Sequence, residues 1–222
     1  MHHSIQRLTA IKLKIKENLE EKQLNNSKPE IIAVSKTFSS REITPLIEAG
    51  HIHFGENKIQ EAESKWPEIK TKFKNIKLHM IGKLQSNKAK KAVKLFDYIH
   101  SLDSIKLAAK IFKYETELEK KTKIFIQVNI GEEKQKSGIS ILALNDLYTY
   151  CTQRLSLNII GLMCLPENNS DSNKHFKILQ DLSKQLGLKD LSMGMSNDYI
   201  SAINYGATYV RLGTSIFGDR KS

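Results

Sequence analysis

Cysteine is scarce in this chain. Only Cys151 and Cys164 occur among 222 residues. Two are too few for a disulfide framework, and neither belongs to a Cys-x-x-Cys pair, so a reducing compartment is expected. Cys164 falls in an apolar stretch and reads as core. Long apolar runs are also missing. None reaches the roughly 20 residues that cross a bilayer, and the longest, residues 157–166, has the size of a strand. No secretory apolar region opens the chain, because Lys12, Lys14 and Lys16 interrupt it. The expectation is a soluble, cytoplasmic protein without membrane contact. Linkers, internal repeats and low-complexity segments are absent as well, which points to a single domain over residues 1–222.

What is present fits one α/β domain. Hydrophobic residues make up 40% of the chain, enough for a sizeable core. The formal net charge is +11 and the pI is near 9.5. A charge of that size raises the question of nucleic acid. The basic residues are mostly scattered lysines, however, and the stretch 88–94 reads as a solvated helix face, so no nucleic-acid partner is expected.

Ile5, Leu8, Ile11, Ile15 and Leu19 recur at helical spacing and predict an amphipathic N-terminal helix. It ends in the polar stretch Asn25-Asn26-Ser27-Lys28-Pro29. Thereafter β-rich runs at 31–35, 51–54, 77–81, 98–101, 123–129, 157–165, 190–193 and 208–212 are separated by helical stretches, among them 86–95, 104–121, 141–152, 173–186 and 197–205. Gly50, Gly187 and Gly206 stand where helices should stop. Strand and helix in repeated alternation mean parallel strands with right-handed crossovers. Eight such strands predict a closed (β/α)8 barrel of the TIM type with an extra N-terminal helix. The alternative is an open doubly wound sheet, but its Gly-rich phosphate loop is replaced after the first strand by Ser35-Lys36-Thr37.

The first strand carries a candidate nucleophile. Ile32, Val34 and Lys36 share one strand face. If that face lines the barrel, Lys36 arrives at the C-terminal mouth, where barrel enzymes keep their sites. Apolar walls disfavour the charged form of a lysine, and a neutral amine attacks aldehydes. The plain alternative is a strand-terminal lysine reaching solvent.

Two late segments bear on that choice. In Ser192-Met193-Gly194-Met195-Ser196-Asn197-Asp198, a strand ends, a glycine permits a turn, and Ser196 occupies a helix N-cap position. In Arg211-Leu212-Gly213-Thr214-Ser215-Ile216-Phe217-Gly218, a strand again runs into glycine, hydroxyl residues and a short helical turn. Barrels often hold a phosphate between the loops after strands 7 and 8. Phosphate on one side and an amine on another suggest a phosphorylated aldehyde, either pyridoxal phosphate or a sugar phosphate. Arg211 alternates with Tyr209 and Gly213 and can point inward, where it would keep a pyridine nitrogen unprotonated. A rim ion pair is the other reading of Arg211.

Further motifs accompany these in order: Val34-Ser35-Lys36-Thr37, Phe54-Gly55-Glu56-Asn57, His79-Met80-Ile81-Gly82-Lys83-Leu84-Gln85-Ser86-Asn87-Lys88, Lys136-Ser137-Gly138 and Gly161-Leu162-Met163. Together with the two late segments they resemble the pyridoxal phosphate homeostasis protein family over nearly the whole chain. The resemblance implies an alanine-racemase-like barrel without the racemase's second, β-rich domain. It implies Lys36 as the Schiff-base lysine, Ser196, Gly213 and Thr214 around the phosphate, and Arg211 at the pyridine nitrogen. Asn57 would lie near the cofactor ring, and His79 and residues 84–88 would line the same mouth in unassigned roles. Lys83 reads as a variable spot.

The same resemblance implies a carrier or regulator of pyridoxal phosphate rather than an enzyme. Its partners would be the cofactor and the apo-enzymes that depend on it, and it would work as a monomer. The racemase's second base is expected to be missing with the second domain, and an arginine at the ring nitrogen weakens the cofactor as an electron sink. An amino-acid racemase or decarboxylase is the alternative. The other chemistry-bearing residues read as ordinary: His51 and His53 lack companions for a metal set, Glu56 reads as a solvated loop carboxylate, and Trp66-Pro67 reads as a helix end.

Overall fold

A computed structural model of the chain describes residues 2–24, 27–131, 137–166 and 171–219. Asn25, Asn26 and Lys136 lie outside the described residues.

Eight short strands form the centre: β1 (Glu30–Val34), β2 (His53–Glu56), β3 (Lys77–Met80), β4 (Tyr98–Leu102), β5 (Lys123–Gln127), β6 (Ile159–Met163), β7 (Asp190–Ser192) and β8 (Tyr209–Leu212). Each pairs in parallel with the next, and β8 returns to β1, with Ile32 opposite Arg211 and Ala33 opposite Leu212. The closed barrel is therefore the observed fold, and no open sheet edge is left. Its residues are buried on both faces, which is why the strands read as nearly continuous apolar runs. Ile32, Tyr98, Phe125, Met163 and Tyr209 pack inside the barrel. Their strand neighbours Ile31, Ala33, Ile99, Ile124, Leu162 and Val210 face the surrounding helices and join the larger core.

The helices are α1 (His3–Glu21), α2 (Ser40–Glu48), α3 (Ile59–Lys72), α4 (Ala89–Leu95), α5 (Ile105–Glu117), α6 (Ile141–Thr149), α7 (Ser172–Gln185), α8 (Tyr199–Asn204) and α9 (Thr214–Phe217). Helix α1 buries Leu8, Ile11 and Ile15 and lies against α2 and α9. Caps set several starts: Ser104 Oγ accepts from the Leu107 amide, Ser140 Oγ from Ala143, and Asp171 Oδ1 from Asn173. Gly50, Gly187 and Gly206 take left-handed conformations beyond α2, α7 and α8, as their positions in the sequence suggest. Among the described residues no helix is long and apolar enough to cross a membrane.

Four local expectations need correction. Strand β2 begins at His53 rather than His51 and continues through Glu56. Trp66-Pro67 does not end a helix but lies inside α3. Trp66 is buried against Phe54, whereas Pro67 is on the solvent face, where a carbonyl freed by the missing amide can be hydrated. The segment 86–95 is split into a 3-10 turn (Ser86–Lys88) and α4. Ser196 is not an N-cap: Asp198 holds that place before α8, and its Oδ1 accepts from the Met195 amide at 2.6 Å. The turn is thereby pulled back toward the strand, and the Ser196 hydroxyl is left for other partners.

Candidate functional site

A cavity of about 890 Å3 opens beyond the C-terminal ends of the strands. Small-molecule sites typically span about 300–1,000 Å3. Lys36, Asn57, Ser196, Arg211, Gly213 and Thr214 all line it, so six residues from four separate segments of sequence meet on one space. Lys83 lines it too, together with Gln127, Asn129, Met195 and Asp198. The sequence marks Lys83 only as a variable spot. Its place follows from the turn after β3, which brings Ile81, Gly82 and Lys83 over the mouth. Residues 84–88 are not among the lining residues.

The position of Lys36 is fixed from behind. Residue Thr37 adopts φ +69°, a conformation that costs a residue with a Cβ about 1–3 kcal/mol. The turn is held nonetheless. Lys65 of α3, with a side chain only 7% exposed, donates to the carbonyls of Ser35 at 2.9 Å and Phe38 at 3.0 Å. It also contacts Glu56 Oε1 at 2.8 Å and Glu61 Oε1 at 3.1 Å. Glu61 in turn accepts the amide of Thr37. Glu56 is fully buried and accepts from Ser35 Oγ at 2.8 Å and from Trp66 Nε1 at 2.9 Å. It is therefore not the solvated carboxylate that its sequence context suggests. Nothing in the sequence pattern alone marks Lys65, Glu61 and Trp66 as supports of the site. The spacing of Glu61 and Lys65, four residues apart on one helix, signals only their pairing.

In the loops after β7 and β8, beside the end of β1, three hydroxyls converge. Ser196 Oγ lies 3.2 Å from Thr214 Oγ1, 3.1 Å from Ser215 Oγ and 3.5 Å from the Ser215 amide. Asp198, the nearby carboxylate, has both oxygens engaged, Oδ1 by Met195 N and Oδ2 by Ser172 Oγ at 3.0 Å. Asn57 lines the cavity as well. A Cβ on Gly82 would sit 2.2 Å from the Asn57 carbonyl oxygen, so only glycine lets the turn after β3 approach this closely.

Arg211 is 4% exposed, and its side chain points into the barrel rather than to a rim ion pair. Its Nη1 donates to Ser192 Oγ at 2.7 Å and its Nη2 to the Cys164 carbonyl at 2.9 Å. Burial lowers its pKa from the ordinary arginine value. Burial pushes the neighbouring Cys164 thiol up to about 12, which rules out a ready thiolate. His79 does not line the cavity. It is fully buried inside the barrel, stacked on Tyr98 with ring centroids 4.1 Å apart, and hydrogen-bonded to His53 and His100 at 2.9 Å each. Burial holds the pKa of His79 and His100 well below 6.5. Among the described residues no group of three or more His, Cys, Asp or Glu is arranged to hold a metal ion.

Residues 12–221 match the family model described as the alanine racemase N-terminal domain. The pyridoxal phosphate homeostasis protein of Haemophilus influenzae is 34% identical over 96% of this chain and 94% of its own. That of Aquifex aeolicus is 33% identical over 99% of both. This chain belongs to the pyridoxal phosphate homeostasis protein family. Among solved structures, PipY of Synechococcus elongatus without pyridoxal phosphate matches with a TM-score of 0.86 at 33% identity, covering 98% of this chain and all of that one. The same protein with pyridoxal phosphate bound matches at 0.79 and 35% identity over 92% of this chain. The alanine racemase of Bartonella henselae, 17% identical with a TM-score of 0.65, shares the fold; 94% of this chain spans 60% of that one. The family membership agrees with the resemblance carried by the motifs around Lys36, Ser196 and Arg211.

Proposed function

We propose that this chain binds pyridoxal phosphate through Lys36 and serves to buffer or deliver that cofactor. The observation that carries the proposal is the placement of an amine, a buried guanidinium and the hydrogen-bonded hydroxyls of Ser196 and Thr214 around one cavity. The donor set fits the group. When bound, pyridoxal phosphate supplies an aldehyde, a pyridine nitrogen and a phosphate. Lys36 would condense with the aldehyde through its Nζ, with loss of one water. Ser196, Thr214 and the Gly213 turn would take the phosphate, because hydroxyl and amide donors gathered at one point suit an anion. Arg211 would face the ring nitrogen as a donor, and a guanidinium there disfavours its protonation. Asn57 would lie beside the ring, held by the close approach of Gly82.

The relatives named as homeostasis proteins, and PipY with the cofactor bound, support this reading. An arginine at the ring nitrogen argues against turnover of amino acids, because carbanion charge has no protonated pyridine to settle on. We therefore assign a non-catalytic role, carried out by a monomer in the cytoplasm, with apo-enzymes that need the cofactor as recipients.

A titration tests the proposal. Pyridoxal phosphate added to purified protein should give a saturable absorption change at one equivalent, absent in Lys36→Ala. Incubation with alanine in deuterated water should give no more α-proton exchange than free cofactor gives. Unsaturable binding, or an unchanged spectrum in Lys36→Ala, would overturn the binding mode. Exchange at a catalytic rate would favour the racemase alternative.

A further inference from the structure

The barrel interior contains a line of polar side chains that cofactor binding does not require. His53, His79 and His100 come from consecutive strands and point inward. His53 Nδ1 is 2.9 Å from His79 Nε2, and His79 Nδ1 is 2.9 Å from His100 Nε2. His100 Nδ1 is 2.8 Å from Ser192 Oγ, which accepts from Arg211 Nη1. At the other end, His53 Nε2 lies 3.7 Å from Glu30 Oε2, beside a second cavity under the base of the barrel. The line thus joins Arg211, at the upper cavity, to a carboxylate at the opposite end of the barrel.

Proton counting fixes its direction. An arginine keeps all its N–H donors, so Ser192 Oγ must accept from Arg211. The hydroxyl oxygen could accept twice, but its one proton needs an acceptor, and His100 Nδ1 is its only other partner among the described residues, so that proton goes to His100. His100 Nδ1 is then an acceptor, and the ring carries its proton on Nε2. That proton points at His79 Nδ1, which must accept. His79 therefore carries its proton on Nε2 and donates to His53 Nδ1. His53 is left with its proton on Nε2, facing Glu30. Every ring is neutral with the same tautomer, and every donor points away from the guanidinium and toward the carboxylate.

Such an arrangement answers a need of Arg211. Among the described residues no carboxylate lies within ion-pair distance of it, Asp198 acts on it only from further away, and it is almost fully buried. A chain of aligned hydrogen bonds stabilises a buried charge, because each polarises the next. Stacking of His79 on Tyr98 and of His100 on Phe125, with ring centroids 4.1 and 4.3 Å apart, keeps the rings from turning.

We propose that Ser192, His100, His79 and His53 act as a one-way hydrogen-bond relay, running from Arg211 toward the base of the barrel, that orients Arg211 toward the cofactor's ring nitrogen. These are positioning residues, and the proposal rests on the pyridoxal phosphate reading of the cavity only for its last step. A reversed chain would make Ser192 Oγ accept from both Arg211 and His100 and leave its own proton without an acceptor among the described partners, so the tautomers of three rings depend on one serine.

The test begins without cofactor. Ring nitrogen NMR on the 15N-histidine apo protein should show His53, His79 and His100 each as the single tautomer protonated on Nε2. Ser192→Ala removes the donor to His100 and frees the chain to reverse. It should produce mixed tautomers as far away as His53, which a merely structural serine would not do, and Ser192→Thr should restore the single form. With cofactor, Ser192→Ala should bind about tenfold more weakly, as expected for a lost hydrogen bond to a charged group, and the absorption band should shift while Lys36 is still labelled by borohydride. Mixed tautomers in the wild-type protein, or an unchanged pattern at His53 in Ser192→Ala, would overturn the relay. A single tautomer set in a protein that does not bind pyridoxal phosphate would leave the relay standing and reject the cofactor reading instead.

Discussion

Replacing Lys65 by methionine tests how the lysine-bearing turn is built. The ammonium of Lys65 contacts four oxygens, those of the Ser35 and Phe38 carbonyls and of Glu56 and Glu61, and its side chain is 7% exposed. Methionine keeps the length of the stem but leaves the Glu56 carboxylate fully buried without its cation. Breaking a buried pair in this way costs about 3–5 kcal/mol. With a urea m-value of about 3 kcal/mol/M, the unfolding midpoint should fall by roughly 1–1.7 M. Trp66, the only tryptophan, donates to the same carboxylate and is fully buried, so its fluorescence reads the transition directly. Adding Glu56→Gln to Lys65→Met removes the orphaned charge and should recover most of the loss. The turn itself should not recover, because the carbonyls of Ser35 and Phe38 still lack their donor. The double variant is therefore expected to unfold near the wild type yet capture cofactor on Lys36 more slowly. A single variant within about 1 kcal/mol of the wild type, the size of an exposed pair, would refute the brace.

Gly82→Ala would place a Cβ 2.2 Å from the Asn57 carbonyl oxygen, so something must move. Overpacking of this kind costs about 1–3 kcal/mol, and the melting temperature should fall by several degrees, with cofactor affinity reduced because Asn57 is displaced. Acid should destabilise the fold in a window set by buried histidines. Burial lowers His51 from 6.5 to about 4, and the pKa values of His53, His79 and His100 are lowered as well. The unfolded chain therefore binds more protons below pH 6.5, so stability is full above that pH and declines as pH falls toward 4. Urea midpoints at pH 7.5, 6 and 5 check this, and a midpoint unchanged over that range would contradict it. Both thiols are buried, and burial raises each to about 12, so Cys151 and Cys164 should react with a thiol reagent only after denaturation.

Much of this architecture is legible in the sequence because each strand is short, apolar and bounded by helix signals. The alternation at Ile32, Val34 and Lys36 puts the lysine at the mouth, and the spacing Tyr209, Arg211, Gly213 does the same for the arginine. Three kinds of information were not legible. Partner choice across the barrel is one: Glu56 looks like a loop carboxylate until Lys65 and Trp66, nine and ten residues later, fold over it. Strand register is another. His53, His79 and His100 stand 26 and 21 residues apart, and only the pairing of β2, β3 and β4 sets them side by side. Local turn geometry is the third, since Asp198, two residues beyond Ser196, stands at the N-cap position while its carboxylate turns back to the Met195 amide.

The most direct test is to load the protein with pyridoxal phosphate, reduce it with borohydride and map the labelled peptide by mass spectrometry. One modified lysine, residue 36, at close to full occupancy is the expected result. Label spread over the many surface lysines, or concentrated on Lys83 at the same mouth, would contradict the account.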